Sequence, residues 1–128
     1  MKKLIAVFFL MFVTSSYATE WVQAGVSQES TLFIDKSSIQ RSKGMVTFWS
    51  KFIFKEKKDV GTGLIDAQLN DMTLNCAERL MKENTIVTML DGKTVRNFKI
   101  PVEWVRVVPD SPVSYIYEIM CQGKHLKI

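Results

Sequence analysis

The chain has 128 residues, with 17 basic and 13 acidic side chains, one histidine and two cysteines. That length holds one domain, and 47% hydrophobic with 23% charged residues is the composition of a packed protein, too apolar for a disordered one. One His and two Cys exclude a closed structural zinc site, which takes four ligands, so no metal or other cofactor is expected.

The chain starts with Lys2 and Lys3, followed by an unbroken apolar run from Leu4 to Val13. Ser16 and Ala18 are small residues at the positions a signal peptidase reads, so residues 1–18 are expected to be a signal peptide cleaved before Thr19. The apolar run is shorter than the roughly 20 residues of a stable membrane span. No Cys follows the cut to carry a lipid, so no lipid anchor is expected. Residues 19–128 are then one exported domain that does not span the membrane, located in the periplasm, secreted or at the cell surface. Removing residues 1–18 from 128 leaves 110 and takes away two lysines, so a net charge of +4 becomes +2. Such a weak balance, with export, argues against a nucleic-acid partner.

Glu20 to Val26 reads as a strand, and Thr31 to Ile34 as a second, closed by the turn formers Asp35 and Ser37. Ser38 to Arg41 is a candidate extension, and Lys43-Gly44 a turn. Met45 to Phe54 is a long strand rich in aromatic and branched residues. Val46, Phe48, Ser50, Phe52 and Phe54 form its core face; Met45, Thr47, Trp49, Lys51 and Ile53 face the other way. Lys55 to Asn70 reads as a long loop with a helical turn near Leu64 to Leu69. Within it, Gly61-Thr62-Gly63 lacks the spacing of a phosphate loop and reads as flexible linker. Met72 to Leu80 returns to alternation and puts Met72, Leu74 and Cys76 on the core side of a strand. Thr85 to Leu90 and Lys93 to Ile100 flank Asp91-Gly92, a strong hairpin signal because both turn positions need positive φ. Glu103 to Val108, after Pro101, is a short strand or an extended segment.

The last element is a helix. Ser111 can cap it and Pro112 suits its first position, where a missing N–H costs nothing. Val113, Ile116, Tyr117, Met120 and Cys121 form one apolar stripe, and Gly123 sits where the helix stops. Two cysteines in an exported chain suggest a disulfide. A bridge between Cys76 and Cys121 would close a loop of about 46 residues and contribute roughly 4 kcal/mol. The alternative, a redox pair, lacks the Cys-x-x-Cys arrangement. The pattern as a whole is α+β, with about six strands and a C-terminal helix. Strand order is not legible from it.

This order of motifs resembles the surface-adhesin protein E family of small exported bacterial proteins. The resemblance runs from Glu20-Trp21-Val22 through Phe33-Ile34-Asp35 with Ser38-Ile39 and Arg41, to the Val46-x-Phe48-Trp49 strand. It continues with Leu74-Asn75-Cys76 and Arg79, Asp91-Gly92, Trp104-x-x-Val107-x-Pro109-Asp110-Ser111, and a final helix reaching Cys121. It implies an antiparallel sheet with the C-terminal helix packed on it and the two cysteines joined. It also implies a protein of the bacterial envelope that binds host matrix or serum proteins such as laminin and vitronectin.

Lys51, Lys55, Lys57 and Lys58 are the densest basic cluster and the candidate patch for an acidic partner; the competing reading is solvated surface. Trp21, Trp49 and Trp104 are expected at the core or its edge rather than as a stacking platform. His125 reads as exposed and untethered, and Asp66, Asp71 and Glu78 as surface charges. No Gly-x-Ser-x-Gly elbow and no other catalytic set occurs. The expected function is therefore a non-enzymatic, adhesin-like binding module with a protein partner, which is a host matrix protein or another envelope protein. The alternative is a periplasmic accessory protein that assists or inhibits such an envelope protein.

Overall fold

The computed structural model describes residues 18–100 and 103–128. All but the last residue of the expected signal peptide lies outside them. The chain is mostly antiparallel sheet with one C-terminal helix and a Cys76–Cys121 disulfide.

The strands are β1 (Trp21–Val26), β2 (Ser30–Asp35), β3 (Gln40–Ser42), β4 (Met45–Asp59), β5 (Leu64–Asn75), β6 (Leu80–Leu90), β7 (Lys93–Lys99) and β8 (Val105–Arg106), followed by helix α1 (Pro112–Gln122). They form one sheet in the order β1-β2-β4-β5-β6-β7, with β3 also on β4 and β8 also on β6. The described strands thus number eight rather than about six. The extra two, β3 and β8, are three and two residues long; β3 overlaps the candidate extension at Ser38 to Arg41, and β8 lies within Glu103 to Val108, read as a short strand or an extended segment.

The largest departure lies in 55–70. No long loop and no helical turn forms there: β4 runs on to Asp59, and β5 already starts at Leu64. The two pair from Met45↔Asn75 to Ile53↔Ala67, then resume after a bulge at Lys58↔Ile65. The Lys-Glu-Lys-Lys-Asp run, poor in strand propensity, lies at the exposed end of the hairpin, where Lys58 and Asp59 pair with Ile65 and Leu64 and residues 55–57 fall in the register shift. Gly61 and Gly63 sit at φ 81° and 138° in the tight turn, where Val60 donates its N–H to the Gly63 carbonyl at 3.1 Å. A second correction concerns Cys76. It is not on a strand; β5 ends at Asn75 and β6 begins at Leu80, so Cys76 opens the turn between them. The Asp91-Gly92 hairpin forms as expected, with both residues at positive φ.

Two sequence signals beside β2 have a structural cause. The Asp35 carboxylate is buried and accepts from the Glu20 and Ser37 N–H groups and the Ser37 hydroxyl. The Ser38 hydroxyl donates to the Asp35 carbonyl and accepts from the Trp49 N–H, tying this corner to β4.

Helix α1 begins as expected. Ser111 and Ser114 form a reciprocal capping box, Pro112 follows, and Gly123 ends the helix in a left-handed conformation. Its buried residues are Ile116, Tyr117, Ile119 and Met120. They pack on Ala24, Leu32, Ile34, Val46, Phe48, Met72, Leu74 and Met81, all on one face of the sheet. Val113 and Cys121 flank this stripe, half-buried.

Four contacts hold the helix down. Cys76 and Cys121 are joined across a Cα separation of 5.4 Å. The Tyr117 hydroxyl donates to the Cys76 carbonyl. The Arg41 guanidinium donates to the Met120 carbonyl at 2.7 Å, where the helix end is electronegative. The Tyr115 hydroxyl donates to the Ala24 carbonyl of β1 at 2.9 Å. Cys76→Ala is expected to lower unfolding free energy by about 2–5 kcal/mol in denaturant titration. Thiol titration of the native, unreduced chain should find no free thiol; two reactive thiols would contradict the bond.

Candidate partner-binding surface

With one face of the sheet covered by α1, alternation sends every second side chain to the other face. Ladder pairing sets one row there across the sheet: Gln23, Phe33, Lys51, Leu69, Val87 and Asn97. Trp49 opposes Asp71 in the next row, and Ile53 opposes Ala67 in the row on the other side. Trp21 stands beside this surface at the start of β1. Trp21, Phe33, Trp49, Leu69 and Val87 are half-buried and Ile53 is exposed, none of them covered by the helix. A sheet face open to water is normally polar, so this apolar row is unusual.

Lys51 lies in the middle of it. Its ammonium is 4.1 Å from the Trp21 ring centroid and 5.7 Å from that of Phe33. Burial holds its pKa below the ordinary lysine value. Among the described residues no carboxylate lies within ion-pair reach of it. On the same face, burial lifts the Asp71 carboxyl above its usual range, partly opposed by a hydrogen bond from Asn84.

The four lysines singled out in the sequence all lie on β4. Lys55, Lys57 and Lys58 lie at the far end of β4, while Lys51 sits among the aromatic side chains. Lys57 reaches Asp91 at 3.6 Å, and Lys58 reaches Glu29 at 3.5 Å and lies 4.5 Å from the Phe54 ring. Trp21 and Trp49 are half-buried on the helix-free face, outside the core cluster, and Trp104 is exposed with the Lys82 ammonium 4.7 Å from its ring. Trp49 and Lys51 share a face by alternation within β4; Trp21 and Phe33 join them through β1–β2–β4 pairing, which the sequence pattern did not supply. Asp66 accepts from the Asp91 N–H, and Glu78 is exposed in the β5–β6 turn.

On the helix side, a cavity of about 250 Å³ opens between the start of α1 and strands β1, β2 and β4. It is lined chiefly by Gly25, Val26, Leu32, Phe52, Pro112 and Tyr115. Gly25 allows a close approach: a Cβ there would lie 2.9 Å from Tyr115 Cε1, so the ring would have to shift. His125 is exposed but not untethered. Its ring stacks on Tyr115 at 4.4 Å between centroids, and its Nε2 lies 2.6 Å from Glu118 Oε2. Contacts made after the helix ends create this clasp, and no short-range motif announces it. No group of three or more His, Cys, Asp or Glu side chains able to hold a metal occurs among the described residues. No helix among them is long and apolar enough to cross a membrane.

An antiparallel sheet with one face covered by a disulfide-held helix, and the other uncovered among the described residues, defines a small sheet-and-helix scaffold. The surface-adhesin protein E family matches residues 21–122, and the chain belongs to that family of adhesin-like surface proteins. No curated protein matches the sequence. The fold is similar to crystal form II of Haemophilus influenzae protein E, with a TM-score of 0.56 at 14% identity over 83% of this chain and 97% of that one. It is likewise similar to protein E from non-typeable Haemophilus influenzae, with a TM-score of 0.56 at 13% identity over 89% of this chain and 85% of that one.

Gly25→Ala is expected to push Tyr115 aside and cost about 1–3 kcal/mol of stability. Tyr115→Phe alone should cost about 1 kcal/mol through the lost hydrogen bond. In a double-mutant cycle by denaturant unfolding, Tyr115→Phe should cost less in the Gly25→Ala background; full additivity would show that the two are not coupled. The clasp has a pH signature. The hydrogen bond to His125 holds the Glu118 carboxyl below its ordinary value. A carboxylate held low stabilises above its unfolded pKa, about 4.3, and that stabilisation is lost as the pH falls through its folded value. The His125 ring signals in NMR should therefore lose their Tyr115 ring-current shift on acidification below pH about 4; unchanged signals through that range would contradict the clasp.

Proposed function

We propose that the chain is exported through residues 1–18 and works as a non-enzymatic binding module of the bacterial envelope, holding a protein partner on the helix-free face of its sheet. The observation that carries this reading is the apolar surface of Trp21, Phe33, Trp49, Leu69 and Val87 around Lys51, which is partly desolvated and has no ion-pair partner among the described residues. Aromatic side chains with few charges are the composition of an interface centre. Export is supported by the disulfide, which persists in oxidising compartments, and by membership of the surface-adhesin family. The partner class is a host matrix or serum protein such as laminin or vitronectin, as the family resemblance implies. Lys55, Lys57 and Lys58 then form a basic rim that speeds encounter with acidic surfaces without carrying most of the affinity.

The test is binding of the purified, disulfide-bonded chain to immobilised laminin and vitronectin, with the heat-denatured chain as control. The native chain should bind better, and Trp21→Ala and Trp49→Ala should each weaken binding at least about fivefold, a cost of at least 1 kcal/mol. Equal signals from native and denatured chain would remove the adhesin reading. Protease added to intact cells should degrade the chain; complete protection would locate it in the periplasm and favour an accessory role there.

A further inference from the structure

We infer that the β7 edge of the sheet is a separate docking site that takes an extended, acidic polypeptide segment as an added strand. This rests on the reading of the chain as a binding module and assigns that module a second surface.

β7 is the last strand in the sheet order and, among the described residues, pairs only with β6, so one side of its backbone has no ladder partner there. All seven of its residues are exposed. An unpaired edge offers a row of N–H and C=O groups that an extended chain can complete. Lys93, Arg96 and Lys99 lie along this edge with no acidic residue among them. The short strand β8, on the same side of β6, adds Arg106. None of these four cations is in an ion pair among the described residues.

Charge on an edge commonly serves only to stop self-pairing. Here the edge is also apolar. Of the ten large apolar side chains that are most exposed, five lie on β7 and the 103–108 segment: Val95, Phe98, Trp104, Val105 and Val108. The Arg96 guanidinium lies 5.4 Å from the Phe98 ring, so cation and ring form one surface. A purely protective edge does not need these groups, whereas a peptide site uses them: backbone pairing supplies affinity, and side chains select the sequence. Cations of one sign repel the same edge of a second copy and attract alternating acidic side chains. The opposite edge is less suited. β1 has no charged residue and its Ala24 carbonyl is already taken by Tyr115, whereas a bulge interrupts the ladder at both edges, between Gln23 and Gly25 on β1 and at Val95 on β7.

The test uses two synthetic peptides, one alternating Glu with Val and the other alternating Lys with Val, added to the isotope-labelled, disulfide-bonded chain. The acidic peptide should slow amide exchange along β7, and its affinity should fall as salt is raised. Lys93→Glu, Arg96→Glu and Lys99→Glu together should weaken it at least tenfold and admit the basic peptide. The set Lys93→Gln, Arg96→Gln and Lys99→Gln should weaken it in the same direction and serves if the reversed chain does not fold. Equal binding of both peptides, binding of neither, protection on β1 instead of β7, or self-association through β7 that shuts the peptide out would overturn the inference. Loss of peptide binding with laminin binding intact would remove this site alone. Peptide binding without laminin binding would remove the matrix partner alone.

Discussion

The sulfur bridge between Cys76 and Cys121 sets the shape of the molecule, because the helix it holds is the only cover the sheet has among the described elements. An eleven-residue helix is marginal by itself in water. It persists here because its apolar stripe is pressed onto Ile34, Val46, Phe48 and Leu74, and because the bridge restricts how far the unfolded chain can separate the two layers. Arg41 and Tyr117 act at the same end of the helix as the bridge, and Tyr115 at the other end. The helix is thus pinned at both ends, and the cavity beside Tyr115 opens between it and strands β1, β2 and β4.

This arrangement leaves a bare face. With a single covering helix, a sheet cannot bury both sides, and the residues on the second side have to be soluble or to meet a partner. This chain puts Trp21, Phe33 and Trp49 there, with a lysine among them rather than an ion pair. A rigid, disulfide-held scaffold suits that use, since side chains already ordered in the free state lose less freedom on binding. The same logic applies at β7, where an edge strand, three cations and exposed apolar side chains coincide.

Local chemistry made several elements legible. Ser111, Pro112 and Gly123 delimit the helix through its unsatisfied end groups, and Asp91-Gly92 marks a hairpin through positive φ. Alternation in Met45 to Phe54 identified the core face correctly, since Val46, Phe48 and Ser50 are buried. Lys55 to Asn70 was not legible, because its strand state comes from pairing between β4 and β5 and not from its own propensity. Cys76 followed the alternation of β5 one residue too far, past the point where the chain turns toward Gly44, whose carbonyl accepts the Cys76 N–H. His125 gave no local sign of its clasp on Tyr115 and Glu118, which come to it only because the chain leaves the helix at Gly123.

By itself, the sequence determined the α+β class, the terminal helix and its buried side, and the pair of cysteines available to bridge it, since these depend on residue types at short, regular spacings. Tertiary structure alone decided which strands are neighbours. That choice brings Trp21, Phe33 and Lys51 together from three strands and leaves β7 at the edge of the sheet. Strand order is a long-range outcome of which apolar faces can be buried at once, and no local spacing encodes it.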